Sequence, residues 1–244
     1  MKEIRSYNKR LFSWNIIRKS FHYSRFNWLK KTLKKYSIEY SNVLEIGCFD
    51  GKLLDYLPYP PKKYIGFDAD WEGGLGLAQE KYGHLDNIAF SFVLNPDEMK
   101  LKEDEFFNLA VCMETFEHIP PTLVCPYLEK VSKHLNGYFL ITVPNEKGPF
   151  FILKRILKPK NKKEENSYAF SIWDLINLTF GRTNRVIRKE HKGFDYDHLI
   201  YDIRKYFDIV SVQGYSIFRF IPLFLSIGVG IVAVPKNHKL QNNQ

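Results

Sequence analysis

Between residues 43 and 143, short apolar runs alternate with stretches of helical character, and that alternation restricts the chain to one class of fold. The runs are Val43-Leu44-Glu45-Ile46, Tyr64-Ile65-Gly66-Phe67 ending at Asp68, Ile88 to Leu94, Phe107 to Met113, and Tyr138 to Val143. Each has the length of a strand and is largely apolar, the pattern of strands covered on both faces. Between them, helical character is expected over Lys52–Leu57, near Leu77–Tyr82 and over Pro121–Leu135, with stops at Pro58 and at Asn136-Gly137. Strands and helices alternating at this spacing imply an α/β fold with a mostly parallel sheet. Further on, Asp197–Tyr206 reads as a helix, and Phe207–Val212 and Gly230–Val234 read as two late strands, expected to be antiparallel neighbours at the sheet end.

A chain of 244 residues with 45% hydrophobic and 26% charged residues can bury a sizeable core, which excludes wholesale disorder. One domain is expected over residues 1–244. The cysteines Cys48, Cys112 and Cys125 are odd in number and lack CxxC spacing. That argues against a disulfide scaffold or a structural zinc site and suits a reducing cytoplasm. The opening MKEIRSYNKRLF is followed by no apolar core of a signal peptide. The longest uncharged apolar run, Phe220–Val234, has 15 residues, short of the roughly 20 that a spanning helix needs.

The net charge of +9 is unevenly spread. Residues 1–36 hold 11 Lys and Arg against Glu3 alone, and residues 147–192 hold 12 against four acids, so the remaining body is acidic. Two basic appendages on an acidic body attract phosphates, nucleic acid or an anionic membrane face, although solvated surfaces would look the same. Residues 9–35 read as helix, with Phe26, Leu29, Leu33 and Tyr36 on one stripe and lysines opposite. Core packing accounts for that stripe, and membrane docking is the competing reading. Residues 147–192 read as a basic, aromatic insertion or lid. Its segment Gly148 to Lys158, and the apolar loop around Phe220–Leu225, have the composition of an interfacial surface.

The first strand and its turn carry the chemistry. A glycine turn between a parallel strand and a helix lets backbone approach a ligand closely. Asp68 ends the next strand 23 residues after Glu45, close to the spacing at which a carboxylate accepts hydrogen bonds from a ribose. A nucleotide-like cofactor follows; a tight turn beside a surface Asp is the alternative.

VLEIGCFDG, YIGFDAD, FFNLAVCMETFEHIP and LNGYFLITVPNE, in that order, resemble the class I S-adenosylmethionine-dependent methyltransferases. The likeness is nearest to the group called methyltransferase type 11, and it runs well over residues 23–146 and loosely over 190–235. It implies a doubly wound, mostly parallel seven-stranded Rossmann-like sheet with the last strand antiparallel, and S-adenosyl-L-methionine as cofactor. Carried over, Glu45, Gly47, Cys48 and Gly51 would form the loop beneath the methionine part of the cofactor, and Asp68 would bind the ribose. Asn95 or Asp97 would meet the adenine, while Met113 and Glu114 would end the fourth strand beside the sulfonium. Two positions depart from the family pattern: Phe49 stands where many members have a glycine, and Asn108 where an Asp is frequent.

Methyl transfer needs alignment of the acceptor, and an oxygen or nitrogen acceptor often needs a base as well. His118 follows the fourth strand, and His191 lies in a segment resembling one that brings a histidine to the acceptor pocket; both are candidate catalytic residues. A helix-capping role for Glu117-His118 and a phosphate contact or surface position for His191 are the competing readings. No zinc or calcium spacing is visible, so no metal is expected. The favoured acceptor is a hydroxyl or other nucleophile of a small-molecule, glycan or lipid-linked anionic molecule, with peripheral membrane contact. The motifs of base-modifying methyltransferases are missing, which makes RNA the alternative acceptor. A non-catalytic cofactor-binding protein is the other alternative.

Overall fold

All the expected strands form, most of them longer than their apolar runs: β1 (Asn42–Ile46), β2 (Lys63–Asp68), β3 (Ile88–Phe92), β4 (Phe107–Met113), β5 (Leu135–Pro144), β6 (Phe207–Tyr215) and β7 (Gly228–Pro235). The computed structural model describes residues 16–71, 73–149, 151–152, 170–189, 191–216 and 222–236. One sheet carries all seven strands in the order β3-β2-β1-β4-β5-β7-β6. The first five run parallel, and β7 is antiparallel to both neighbours, lying between β5 and β6. The chain winds outward from β1 through β2 to β3, then crosses back to β4. The β1–β4 pair is therefore the switch point where crossovers diverge and leave a crevice at the carboxyl ends of the strands.

Helices α1 (Ile16–Lys35), α2 (Gly74–Tyr82), α3 (Pro121–Lys133), α4 (Ile172–Thr179) and α5 (Tyr196–Tyr206) complete the described regular structure, with a few short 3-10 turns. The sheet side chains alternate between two cores. Leu44, Ile46, Ala110, Cys112, Ile141 and Ile231 face α3 and α5, which contribute Val124, Leu128, Leu199 and Ile203. Val43, Leu109, Val111, Leu140 and Val232 face α1. In α1 the stripe Phe26, Leu29 and Leu33 is buried there, and Trp28 presses on Gly230, where a Cβ would lie 2.2 Å from the indole. That stripe is core, so its membrane-docking reading is withdrawn. The basic and aromatic residues nearby also meet each other: Phe26 stacks on Tyr56 at 4.0 Å, and Lys30 lies 5.2 Å from the same ring. Residues 1–15 of the basic N-terminal segment lie outside the described residues.

Three local expectations change, the first being that the third strand ends at Phe92 and not at Leu94. Lys52–Leu57 yields only a four-residue 3-10 turn, Lys52–Asp55, because Pro58, Pro60 and Pro61 leave no room for an α-helix to propagate. The third helix stops at Lys133, before Asn136-Gly137, because Leu135 is already paired with Phe107 in the sheet. Gly137 sits instead at a register shift in β5, where a Cβ would be 1.9 Å from the Asn108 carbonyl oxygen. Asn108 does the work an Asp would do there: its Oδ1 accepts from the Ser41 and Asn42 amides at 3.1 and 3.0 Å and from the Ser41 hydroxyl at 2.8 Å.

The described part of the insertion after β5 has its own small apolar cluster of Phe151, Leu178 and Val186. Lys147 ties it to the body, bonding Asp195 and reaching Asp197 at 2.6 Å, while Lys192 meets Asp174 within the insertion at 2.8 Å. Lys154, Arg155 and Lys158, on which the anionic-acceptor reading leans, lie outside the described residues, as do Phe220 and Ile221. Among the described residues no helix is long and apolar enough to cross a membrane.

Candidate active site

The turn after β1 is shaped by positive backbone φ at Gly47 (76°), Phe49 (47°) and Gly51 (70°). Only glycine adopts such values freely, so Phe49 carries strain of about 1–2 kcal/mol. Its position repays that strain in contacts. The Phe49 amide donates to Asp68 Oδ2 at 2.8 Å, and its ring packs where a Cβ on Gly74 would come within 2.4 Å. Phe49 thus braces the turn against the start of α2. Gly47 is demanded twice over, since a Cβ there would also lie 2.1 Å from Thr115 Oγ1 on the loop after β4.

Asp68 closes β2 with each carboxylate oxygen holding one backbone N–H, from Phe49 and, at 2.7 Å, from Asp70. Partial burial raises its pKa, and those two donors work the other way. Glu45 is buried on the α1 side of β1, its carboxylate bonded to the Tyr64 hydroxyl, and burial holds its pKa well above 4.5. Cys48 is also buried, with its Sγ 2.8 Å from a Cβ position on Gly66, and burial raises its thiol pKa.

Beyond β3, Asn95 caps a short turn by accepting from the Asp97 amide at 3.1 Å, and its Nδ2 is held by Glu98 at 2.7 Å. Asp97 is exposed, and Asn95 is half-buried. Met113 ends β4 buried, and Glu114 takes positive φ (53°) with its carboxylate bonded to the Tyr215 hydroxyl.

The loop after β4 then brings together residues far apart in sequence. The His118 and His191 rings meet edge to face with centroids 4.5 Å apart, and Trp71 lies edge to face with His118 at 6.0 Å. Glu117 is 1% exposed, and among the described residues neither of its carboxylate oxygens has a hydrogen-bond partner. Burial, then the nearby Glu114 and Glu146 carboxylates, push its pKa well up. Arg188 of the insertion reaches back to the Phe116 and Ile119 carbonyl oxygens at 3.4 and 3.3 Å, so the insertion helps to hold this loop. Glu117, His118 and His191 each offer a ligand atom within 4.8 Å of the others. Sequence spacing gave no sign of this grouping. Spacing hid the cluster because His191 comes 73 residues after His118 and only the fold joins them. Glu117, Trp71 and Arg188 were not singled out as site residues, although Glu117-His118 at the end of β4 was a signal for the first.

A family model described as a methyltransferase domain matches residues 21–195. The chain belongs to the class I S-adenosylmethionine-dependent methyltransferases. Solved structures place this methyltransferase in the same fold. N-methyltransferase NodS from Bradyrhizobium japonicum WM9, in complex with S-adenosyl-L-homocysteine, superposes with TM-score 0.58 at 14% identity, covering 96% of this chain and 95% of that one. A magnesium protoporphyrin IX methyltransferase from Synechocystis PCC 6803, with bound S-adenosyl-L-homocysteine, gives 0.56 at 14%, covering 93% and 92%. An S-adenosylmethionine-dependent methyltransferase from Clostridium acetobutylicum ATCC 824 gives 0.58 at 11%, covering 87% and 91%. No curated protein matches the sequence significantly.

The methyltransferase's own residues suit its cofactor. Each Asp68 oxygen has one backbone donor and a second lone-pair direction open for a ribose hydroxyl.

Proposed function

We propose that the methyltransferase transfers its methyl group to a hydroxyl or other nucleophile of an anionic small-molecule, glycan or lipid-linked acceptor that meets the enzyme at His118 and His191. The observation that carries this reading is the pair of imidazoles 4.5 Å apart beyond the carboxyl end of β4, one from the body and one from the insertion. When bound, the cofactor supplies a methyl group already activated by its sulfonium charge, so the protein's task is placement. Asp68 would hold the ribose, and the backbone of Gly47–Gly51 would line the amino-acid part. His118 and His191 would orient the acceptor oxygen along the line of attack. Trp71 and the insertion would limit water around it.

The experiment is transfer of a labelled methyl group to a panel of sugar phosphates, lipid-linked glycans and short RNAs. Labelled product in the first two groups and none with RNA is the expected result. In His118→Ala the rate should fall about 100-fold or more with cofactor affinity unchanged. Product on RNA alone would replace this acceptor class.

One observation favours a lipid-linked acceptor within that class. On and after α4, Ile172, Trp173 and Phe180 are 76%, 73% and 72% exposed, and Ile187 is also exposed. An apolar face of this kind beside basic residues suits an interface with anionic lipid. Co-sedimentation with anionic vesicles that Ile172→Ser/Trp173→Ser/Phe180→Ser abolishes would support it. Equal sedimentation of both proteins would leave the soluble acceptors.

A further inference from the structure

A buried carboxylate with no donor on either oxygen is rare, because a desolvated charge without a partner costs several kcal/mol. Among the described residues Glu117 is such a group, at 1% exposure. Glu114, Glu146, Arg25 and Arg188 are the charged side chains that act on it, and none of them hydrogen-bonds either of its oxygens; Arg188 directs Nη2 to two carbonyl oxygens instead. Instead the two histidines face it. His118 Nε2 lies 3.9 Å from Glu117 Oε1, and His191 packs against the His118 ring. Glu146 Oε1 lies 4.0 Å from His191 Nδ1.

We propose that Glu117, His118 and His191 bind a divalent first-row transition-metal ion at the acceptor side of the methyl-transfer site. Two imidazoles and one carboxylate are a donor set such ions take in catalytic sites, with further positions left open. Donors around a tetrahedral ion at about 2.0–2.2 Å lie roughly 3.4 Å apart, and the three ligand atoms, already within 4.8 Å, close that gap by side-chain rotation. Glu117 supplies the buried inner ligand, while the His118 and His191 side chains are 31% and 39% exposed. The open positions therefore face outward, toward the acceptor.

This inference rests on the reading that the acceptor's oxygen arrives beside the two histidines. The ion would bind that oxygen and lower the pKa of its hydroxyl, so acceptors with two neighbouring oxygens able to chelate are the class it selects. In the transfer the hydroxyl proton leaves to water, the oxygen bonds to the methyl carbon, and the carbon–sulfur bond breaks with its electron pair remaining on sulfur.

The test uses the full-length, untagged chain, stripped of metal by a chelator and titrated with Co2+. The expected result is one equivalent bound with visible d–d absorption bands. His118→Ala and His191→Ala should each weaken Co2+ at least tenfold and lose the bands, while exposed His198→Ala behaves as wild type. Glu117→Gln should do the same, and if it fails to fold the two histidine variants decide. S-adenosylmethionine affinity, measured calorimetrically in each protein, should stay within twofold. Absence of bands in wild type, or bands that survive both histidine variants, overturns the metal site even though the cofactor still binds. Loss of cofactor binding in folded wild type would instead strike the methyl-transfer reading itself.

Discussion

The carboxyl ends of β1 to β4 and the insertion between β5 and α5 form two sides of one site, and they are built differently. On the first side, geometry resides in the backbone. Gly47, Phe49, Gly51 and Glu114 all take positive φ, and Asp68 is fixed by two main-chain donors. On the second, side chains hold the structure through Lys147 with Asp195 and Asp197, Lys192 with Asp174, and a cluster of Phe151, Leu178 and Val186. A backbone-built site recognises what every family member shares, the cofactor, and tolerates few substitutions. A side-chain-built site can change its lining without changing the sheet, which is where acceptor choice can vary.

The sharpest way to break this contrast is Gly47→Ala. A Cβ at positive φ costs about 1–2 kcal/mol, and the clash with Thr115 adds about 1–3 more. Denaturant unfolding should show a loss of about 2–5 kcal/mol, and calorimetry should detect no cofactor binding. Near-normal binding would mean that the turn is softer than its geometry implies. Next in size, Asp68→Ala should weaken S-adenosylmethionine at least tenfold, about 1.4 kcal/mol, in a calorimetric titration. Unchanged affinity would remove the ribose contact and restrict Asp68 to bracing Phe49.

Glu45, buried on the α1 side of β1, offers a subtler comparison. Its folded pKa lies well above 4.5, so the native state keeps the proton where the unfolded chain has released it. Stability from this group is present at low pH and is lost as pH rises above the unfolded value, by up to about 1.4 kcal/mol per pH unit while it titrates. In Glu45→Gln, melting temperature should fall less than in wild type between about pH 5 and about pH 8. Parallel profiles would show that Tyr64 and water relieve the burial. The smallest effect is expected on the second side. Lys154→Ser/Arg155→Ser/Lys158→Ser should weaken an anionic acceptor, read as a higher KM, and leave cofactor affinity and melting temperature alone. Equal loss of both affinities would reject a separate acceptor role for this segment.

Much of the first side was legible in the chain. Five largely apolar runs alternating with helical stretches gave the mostly parallel α/β sheet, whereas the order of its strands came from the structure. Asp68 at the end of β2 and the glycine turn after β1 could be read from spacing alone. Less legible was which way each side chain points. Glu45 and Cys48 fall inside the motif, yet Glu45 turns to Tyr64 on the α1 side because side chains alternate across a strand, and Cys48 turns onto Gly66 on that same face because the positive φ at Gly47 breaks the alternation.

By itself the sequence determined the mostly parallel sheet, its two late antiparallel neighbours and the glycine turn after the first strand, which depend on periodicity and short-range spacing. The family came from the resemblance of its motifs. Only the tertiary structure decided that Phe49 braces α2, that Asn108 substitutes for an Asp, and that Glu117 faces His118 and His191 without a hydrogen-bond partner among the described residues. Each of those depends on a contact between segments distant in sequence. Burial, which turns a carboxylate from a solvated surface group into one that requires a partner, exists only after the chain has folded.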